Sequence, residues 1–134
     1  MKYIGIVGSS KAQPLPLSNG VVNAVHDILN RYDHKNTVIV SGGAKGIDSI
    51  ASGIAEQHGY NIIEYKPKGI GWKYYMIRNL LIAKKCDKVY SIALPLNNGK
   101  RCYHCAKVGK DTNHYKTAGC WTAQRCKDYE VVVA

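Results

Sequence analysis

The chain lacks phenylalanine and holds only two tryptophans and two methionines among its 134 residues. It also lacks a long apolar run: no stretch approaches the roughly 20 residues that cross a bilayer, so we expect no membrane-spanning segment. Acidic residues number only nine, and charged residues make up 21% of the chain against 46% apolar ones. That balance is typical of a folded domain and not of a disordered tail. The length suits one core, and we expect a single domain over residues 1–134.

The sequence also has little that resembles a targeting signal. One lysine precedes the apolar stretch Tyr3–Gly8, which is too short for a secretory signal and is typical of a first strand. We therefore expect a cytoplasmic protein with no membrane partner.

Positive charge is in clear excess. The 19 lysines and arginines give a formal net charge of +10, which favours polyanions, phosphorylated ligands or anionic surfaces as partners. The positive residues are spread along the chain, with some concentration at Lys100–Lys116, and no run of about five or six indicates a basic tail. Because net charge alone does not specify a partner, plain solubility charge remains the alternative.

Apolar segments of strand length alternate along the chain with amphipathic segments of helix length. We predict strands at Lys2–Val7, Thr37–Val40, Asn61–Tyr65, Asp87–Ala93 and Glu130–Val133, and helices from Ser18 or Asn19 to about Arg31 and at Ile47–His58, Lys73–Lys85 and Thr117–Lys127. Such alternation implies parallel βαβ units with right-handed crossovers. The sequence therefore predicts an α/β fold, a doubly wound and mostly parallel sheet of about five strands. Residues 94–116 form a Cys/His-rich insertion before the last helix.

A glycine-rich turn, Ser41–Gly46, lies between the second predicted strand and the next helix. Glycines allow a tight turn, and free amides at a helix start attract phosphate or carboxylate. The spacing is neither the dinucleotide G-x-G-x-x-G nor a Walker P-loop, which disfavours ordinary NAD binding and ATP hydrolysis. Asp48 either stabilises the helix start or holds a ribose hydroxyl or a second loop. A turn that needs glycine only for its geometry is the alternative.

This turn is one of several short segments that together match a known pattern. They are Val40–Asp48, Ala51, Ala55, His58–Gly59, Gly8–Ser10, Arg78–Asn79 and Thr117–Thr122. Val40–Asp48 resembles the S-G-G-A-x-G-x-D motif of the SLOG superfamily, and Ala51, Ala55 and His58–Gly59 resemble the helix that follows this motif. Gly8–Ser10 resembles the first nucleotide-contacting turn of the superfamily. Arg78–Asn79 resembles its R-N pair, and Thr117–Thr122 its last glycine-rich turn. The superfamily contains the DNA-processing protein DprA/Smf, the cytokinin-activating LOG phosphoribohydrolases and the YspA/YpsA-like proteins. The resemblance covers nearly the whole chain outside residues 94–116 and fits the YspA-like branch best.

The resemblance implies a Rossmann-like domain that binds a phosphate-bearing nucleotide or nucleotide derivative at the carboxyl ends of the strands. Glycine-turn amides would hold the phosphate, lysine and arginine would neutralise it, and other polar side chains would contact the ribose or base. The implied residues are Gly8, Ser9, Ser10, Ser41, Gly42, Gly43, Lys45, Gly46, Asp48, Arg78, Asn79, Gly119 and Thr122. Trp72, Tyr74 and Tyr75 either stack on a base or belong to the core or rim. Members of the superfamily often dimerise, which implies a homodimer.

Whether the bound molecule is hydrolysed stays open at the level of sequence. LOG relatives carry a P-G-G-x-G-T-x-x-E signature with a catalytic glutamate, and the last turn here has none. The glutamates of the chain are Glu56, Glu64 and Glu130. This departure disfavours N-glycosidic hydrolysis by the LOG mechanism and leaves Asp48 as the available catalytic carboxylate.

Four of the five cysteines and two of the five histidines lie between residues 101 and 126. Thiolate and imidazole are preferred zinc ligands, and four of them close a tetrahedral structural site. The spacing predicts a zinc site whose ligands are Cys102, Cys105, His114 and Cys120. His104 and Cys126 are possible substitutes for one ligand. Free thiols, a redox pair and a disulfide are the alternatives, although a cytoplasmic address disfavours a structural disulfide.

Two rival functions remain beside nucleotide binding. The first is DprA-like binding of single-stranded nucleic acid, favoured by the net charge and by the basic segment Lys100–Lys116. The second is a protein-interaction module in which both the pocket and the zinc only support the fold.

Overall fold

The computed structural model describes residues 1–9, 19–96 and 100–134. Within these ranges the elements are β1 (Lys2–Gly8), α1 (Asn19–Leu29), β2 (Thr37–Ser41), α2 (Ile47–Gln57), β3 (Asn61–Glu64), α3 (Trp72–Lys85), β4 (Lys88–Ala93), α4 (Tyr103–Lys107), α5 (Ala118–Ala123) and β5 (Tyr129–Val133). None of these helices is long and apolar enough to cross a membrane.

The strands form one sheet in the order β3-β2-β1-β4-β5, and every neighbouring pair is parallel. This confirms the predicted doubly wound α/β fold, with the Cys/His cluster before the last helix. β1 lies between β2 and β4, so the order of the strands reverses around it. Ligands of such sheets bind outside the carboxyl ends of the strands at this reversal.

Each face of the sheet has its own apolar layer, because successive side chains of a strand point to opposite faces. Ile4 and Ile6 of β1 pack with the apolar stripes of α1 and α2. Val7 packs on the other face, with Ile82 of α3 and Ala123 of α5. β2 is buried along its whole length, as expected for a parallel strand covered on both faces.

Two helices differ from the prediction near the Cys/His-rich segment. α4 lies where we expected little periodicity, and its five residues are too few to show a helical period. α5 ends at Ala123 instead of the predicted Lys127. Arg125 and Cys126 donate their amides to carbonyls three positions earlier, which tightens the chain before it enters β5.

Gly8 and Gly119 lie at the carboxyl edge of the sheet, where neighbouring atoms are so close that only glycine fits. A Cβ on Gly8 would lie 2.5 Å from the carbonyl oxygen of Ile92 and 2.7 Å from the side chain of Ile47. A Cβ on Gly119 would lie 3.0 Å from the Cα of Gly8. The absence of side chains therefore lets β1, β4, α2 and α5 meet at the carboxyl edge of the sheet.

Gly8→Ala is expected to lower the free energy of unfolding by about 1–3 kcal/mol, because the added methyl group overlaps the Ile92 backbone and overpacks the site. Gly53→Ala is the matched control: a Cβ at this position in α2 would meet nothing within 4 Å. That variant is expected to gain about 0.5–1 kcal/mol from the better helix former. Urea denaturation measures both values, and similar effects of the two changes would contradict the close packing at Gly8.

Candidate functional site

A cavity of about 1190 Å³ opens at the carboxyl ends of the strands, where their order reverses. The turns after β1 and β2, the start of α3 and the approach to α5 form its walls. Ser41 and Gly46 belong to these turns without lining the cavity, and Ser10 lies outside the described residues. The predicted site residues that line it are Gly8, Ser9, Gly42, Gly43, Lys45, Asp48, Arg78, Asn79, Gly119 and Thr122.

Asp48 joins the first two turns. Its side chain is buried, and its Oδ1 accepts a hydrogen bond from the amide of Gly8 at 3.1 Å. The amides of Gly42 and Ala44 also donate to this carboxylate. Burial raises the pKa of Asp48 to about 6, against the lowering effects of these amides and of the Arg78 guanidinium. One carboxylate thus ties the turn after β1 to the turn after β2.

Arg78 holds the second turn from the side of α3. Its Nη1 donates to the carbonyl oxygen of Gly42, and its Nε donates to Oδ1 of Asn79 at 2.7 Å. Its guanidinium also lies 5.7 Å from the ring centroid of Tyr75. A Cβ on Gly42 would lie 2.9 Å from both Arg78 Nη1 and Asp48 Oδ2. Arg78 is therefore buried and holds the turn after β2 in position. Its Nε and Nη1 groups both donate hydrogen bonds within the protein.

Ser41 supports the same turn without reaching the cavity. Its Oγ accepts a hydrogen bond from the amide of Gly43 at 3.1 Å, and the hydroxyl of Ser52 lies at the same distance. Gly43 and Gly46 have φ values of 66° and 89°, a region that L side chains rarely adopt. Glycine therefore suits both positions for conformational reasons, and the amide of Gly43 is engaged within the protein.

Exposed ammonium groups surround the cavity. Asp48 is the only acidic residue among the described residues that line it. Glu64, nearby, lies 3.9 Å from Lys66 in an exposed ion pair, which contributes little. The lining lysines are Lys45, Lys66, Lys100 and Lys116.

Sequence reasoning missed Lys66 as a site residue. Its place just after β3 could have indicated it, since the carboxyl ends of parallel strands share one edge of the sheet. Of the aromatic candidates, Trp72 and Tyr75 line the cavity, whereas Tyr74 packs beside Gly69.

A second cluster of functional side chains lies beside α5. Its ligand atoms all lie within 4.8 Å of one another, and all four residues are buried. His104 and Cys126 do not belong to it, and the Cys126 thiol donates to the carbonyl oxygen of Cys86. All five cysteines lie in the described ranges and are free thiols. The cluster consists of Cys102, Cys105, His114 and Cys120.

The orientation of His114 suits a metal ligand. Its Nδ1 lies 2.9 Å from the carbonyl oxygen of Tyr115, and we assign a proton to Nδ1 because that oxygen can only accept. Nε2 then carries the lone pair, and it is buried with no hydrogen-bond partner in the part of the chain that the structure describes. Leaving such an atom unpaired costs free energy, and metal-bound histidines usually donate through their other nitrogen. The donor set and its orientation therefore fit a metal ion.

Fold and cavity together define a doubly wound α/β protein with a basic crevice at the reversal of strand order. Residues 1–98 match the family described as DNA recombination-mediator protein A. The chain belongs to this DprA/Smf family, which agrees with the SLOG resemblance of the sequence. Comparison with curated proteins and with solved structures gives no significant match. The matched range ends before the Cys/His cluster, and placement in the YspA-like branch stays a prediction.

Asp48→Asn is expected to change how stability depends on pH. Burial raises the pKa of Asp48 from 3.8 to about 6 in the folded protein. Between these pH values the folded protein therefore keeps a proton on Asp48 that the unfolded chain has lost. The free energy of unfolding should therefore fall as pH rises through this window, by on the order of 3 kcal/mol from this group. Denaturant titrations from pH 3.5 to 7 measure the difference between the two proteins. A difference independent of pH would contradict the raised pKa of Asp48.

Proposed function

We propose that the cavity binds the phosphate group of a nucleotide or nucleotide derivative. The observation that carries this proposal is the convergence of exposed lysines on a glycine-lined crevice where the strand order reverses. Crevices at this place are the usual ligand sites of doubly wound sheets. The lysines around this crevice attract phosphate oxygens, because Asp48 is the one acidic residue among the described residues that line it.

Lys45 and Lys116 are the two cations that we assign to the phosphate. Lys45 comes from the turn after β2 and Lys116 from the segment before α5, and both side chains are exposed and line the cavity. Arg78 contributes its charge from a buried position, where it also holds Gly42. Both lysines can then move onto a ligand without disturbing the turns, and Lys116 would leave the Tyr103 ring, whose centroid is 5.1 Å from its Nζ, to do so.

Asp48 supports binding more than catalysis. Its carboxylate accepts amide hydrogen bonds from both turns, and its removal would leave buried donors unpaired. A nucleophile or general base needs an oxygen that faces the reacting atom. We infer that Asp48 shapes the cavity.

Binding of single-stranded nucleic acid is the second candidate, favoured by the family match and by the net charge of +10. The same lysines would then contact successive phosphates of a strand. Such binding should weaken steeply as salt rises, whereas a single nucleotide in the cavity should respond less.

Replacing both Lys45 and Lys116 by alanine is expected to weaken binding of adenosine monophosphate at least about tenfold, because two charge-assisted contacts are lost. The matched control replaces Lys35 and Lys84, which are exposed and do not line the cavity. Isothermal titration at two salt concentrations measures both affinities. Equal losses in the two variants would contradict a specific site, and tight binding of an oligonucleotide with none of the mononucleotide would favour the second candidate.

We also propose that Cys102, Cys105, His114 and Cys120 hold a structural zinc ion. The supporting observations are the distances among their ligand atoms and the unpaired Nε2 of His114. Three thiolates and one imidazole are a common tetrahedral zinc set, and four protein ligands leave no open position for catalysis. Zinc here would brace the insertion 94–116 against α5 as part of one domain over residues 1–134.

Removing the metal is expected to lower the melting temperature and release one zinc per chain. Cys105→Ser should lose most of the zinc, because the serine hydroxyl is a much poorer zinc ligand than a thiolate. Cys126→Ser is the control: this cysteine is also buried but lies outside the cluster, so it should keep the metal. Elemental analysis and the visible spectrum of the cobalt-substituted protein measure the outcome. Full zinc content in Cys105→Ser would contradict this ligand set.

A further inference from the structure

A second hollow of about 320 Å³ adjoins the cavity and shares Trp72 with it. It lies between α4, α5 and the start of α3, and we call it the aromatic groove. The lining residues that matter here are Trp72, Tyr103, Lys107, Trp121 and Arg125. The groove thus extends from the rim of the cavity onto the surface formed by the Cys/His-rich segment.

Both tryptophans of the chain lie in this groove. Trp72 and Trp121 meet edge to face, with ring centroids 5.0 Å apart. Trp72 is 47% exposed and Tyr103 is 44% exposed. Exposed aromatic faces are the surfaces on which bases of a single strand stack, and this stacking tolerates any base sequence.

Cations alternate with these rings. The Arg125 guanidinium lies 3.9 Å from the centroid of Trp121 and donates to its carbonyl oxygen at 3.0 Å. Lys107 and Lys116 both lie over Tyr103, with Nζ 5.4 Å and 5.1 Å from the ring centroid. No acidic side chain is among the described residues that line the groove. Aromatic rings suit the bases of a nucleic-acid strand, and the neighbouring positive charges suit its phosphates.

We propose that the aromatic groove is a track along which single-stranded nucleic acid continues from the cavity. One base would stack on Trp72 and another would displace the Arg125 guanidinium from the face of Trp121. Phosphates would contact Lys107 and the displaced Arg125. The proposal rests on the second candidate function and deepens it by placing the path of the strand. All of these residues except Trp72 lie beyond the range that matches the family, so the track belongs to the insertion and the last helix of this chain.

The Cys/His cluster supports the wall of this track. Cys105 lies in α4 between Tyr103 and Lys107. Gln124, just after α5, donates from its Nε2 to the carbonyl oxygen of His104 at 3.1 Å. The side chains that face the strand are thus carried by the elements that the cluster joins.

Tryptophan fluorescence of the Trp72→Phe variant tests the track, because Trp72 also lines the cavity whereas Trp121, the remaining fluorophore, lines the groove and not the cavity. Titration with an oligothymidylate of about eight nucleotides should quench the emission to saturation, whereas thymidine monophosphate should leave it nearly unchanged. Anisotropy of a labelled oligonucleotide should give the same affinity. Equal quenching by the monophosphate would overturn the track, since the groove would then hold the base of one nucleotide.

A pair of charge variants separates the groove from general electrostatics. Lys107→Gln with Arg125→Gln is expected to weaken oligonucleotide binding at least about tenfold. Arg31→Gln with Lys35→Gln removes the same charge away from the groove and should change affinity less than about twofold. Far-ultraviolet circular dichroism checks the fold of each variant.

Three results would count against the proposal. Oligonucleotide binding without quenching, and unaffected by the groove pair, would overturn the track and leave the second candidate function intact. Equal weakening by both pairs would also overturn it, because general attraction would then explain the binding. No oligonucleotide binding by the unmodified chain would overturn the track and the second candidate together, while nucleotide binding in the cavity would stand or fall on its own titration.

Discussion

The shape of the crevice depends on one buried carboxylate. Asp48 accepts amide hydrogen bonds from the turn after β1 and from the turn after β2, so two loops that differ in sequence share one acceptor. A buried charge without such partners would cost several kcal/mol. Gly42 leaves room for this carboxylate beside Arg78, and the close packing of Gly8 brings its amide within reach. Much of the glycine-rich motif is therefore explained by packing around Asp48 before any ligand binds.

The opposite wall is held by different means. Thr117 caps α5 by accepting from the amide of Gly119, and Gly119 packs against Gly8. Cys120 lies one residue further on, with its sulfur 3.3 Å from the hydroxyl of Ser91 in β4. A metal ion on Cys120 would therefore be linked to the sheet as well as to α4. On the side of the first two turns, the Asp48 carboxylate has hydrogen-bond partners within the fold. On the opposite side, Nε2 of His114 has no hydrogen-bond partner among the described residues, and a metal ion would provide one.

The sequence predicted the parts of this molecule that repeat or cluster along the chain. The alternating strands and helices, the glycine turns and the set Cys102, Cys105, His114 and Cys120 were all accessible from spacing. The short helix α4 was not, because five residues cannot show a period. Nor was the position of Arg78: a side chain in α3 donates to Gly42, which is distant in sequence, and no local pattern encodes that contact. Lys66 was missed because an exposed lysine after a strand resembles many others.

The arrangement of the cations indicates what kind of ligand the surface favours. Arg78 is committed to a carbonyl and a neighbouring amide, so the adaptable charges are the exposed lysines, which either candidate ligand would use. What separates the candidates is the surface beyond the cavity. A mononucleotide in the crevice would use Trp72, which lines the cavity, but gives no reason to expose Tyr103, and exposed rings gain little for folding. The only two tryptophans meet on this groove, one of them beneath the guanidinium of Arg125. That placement favours a ligand long enough to leave the cavity and cross the groove.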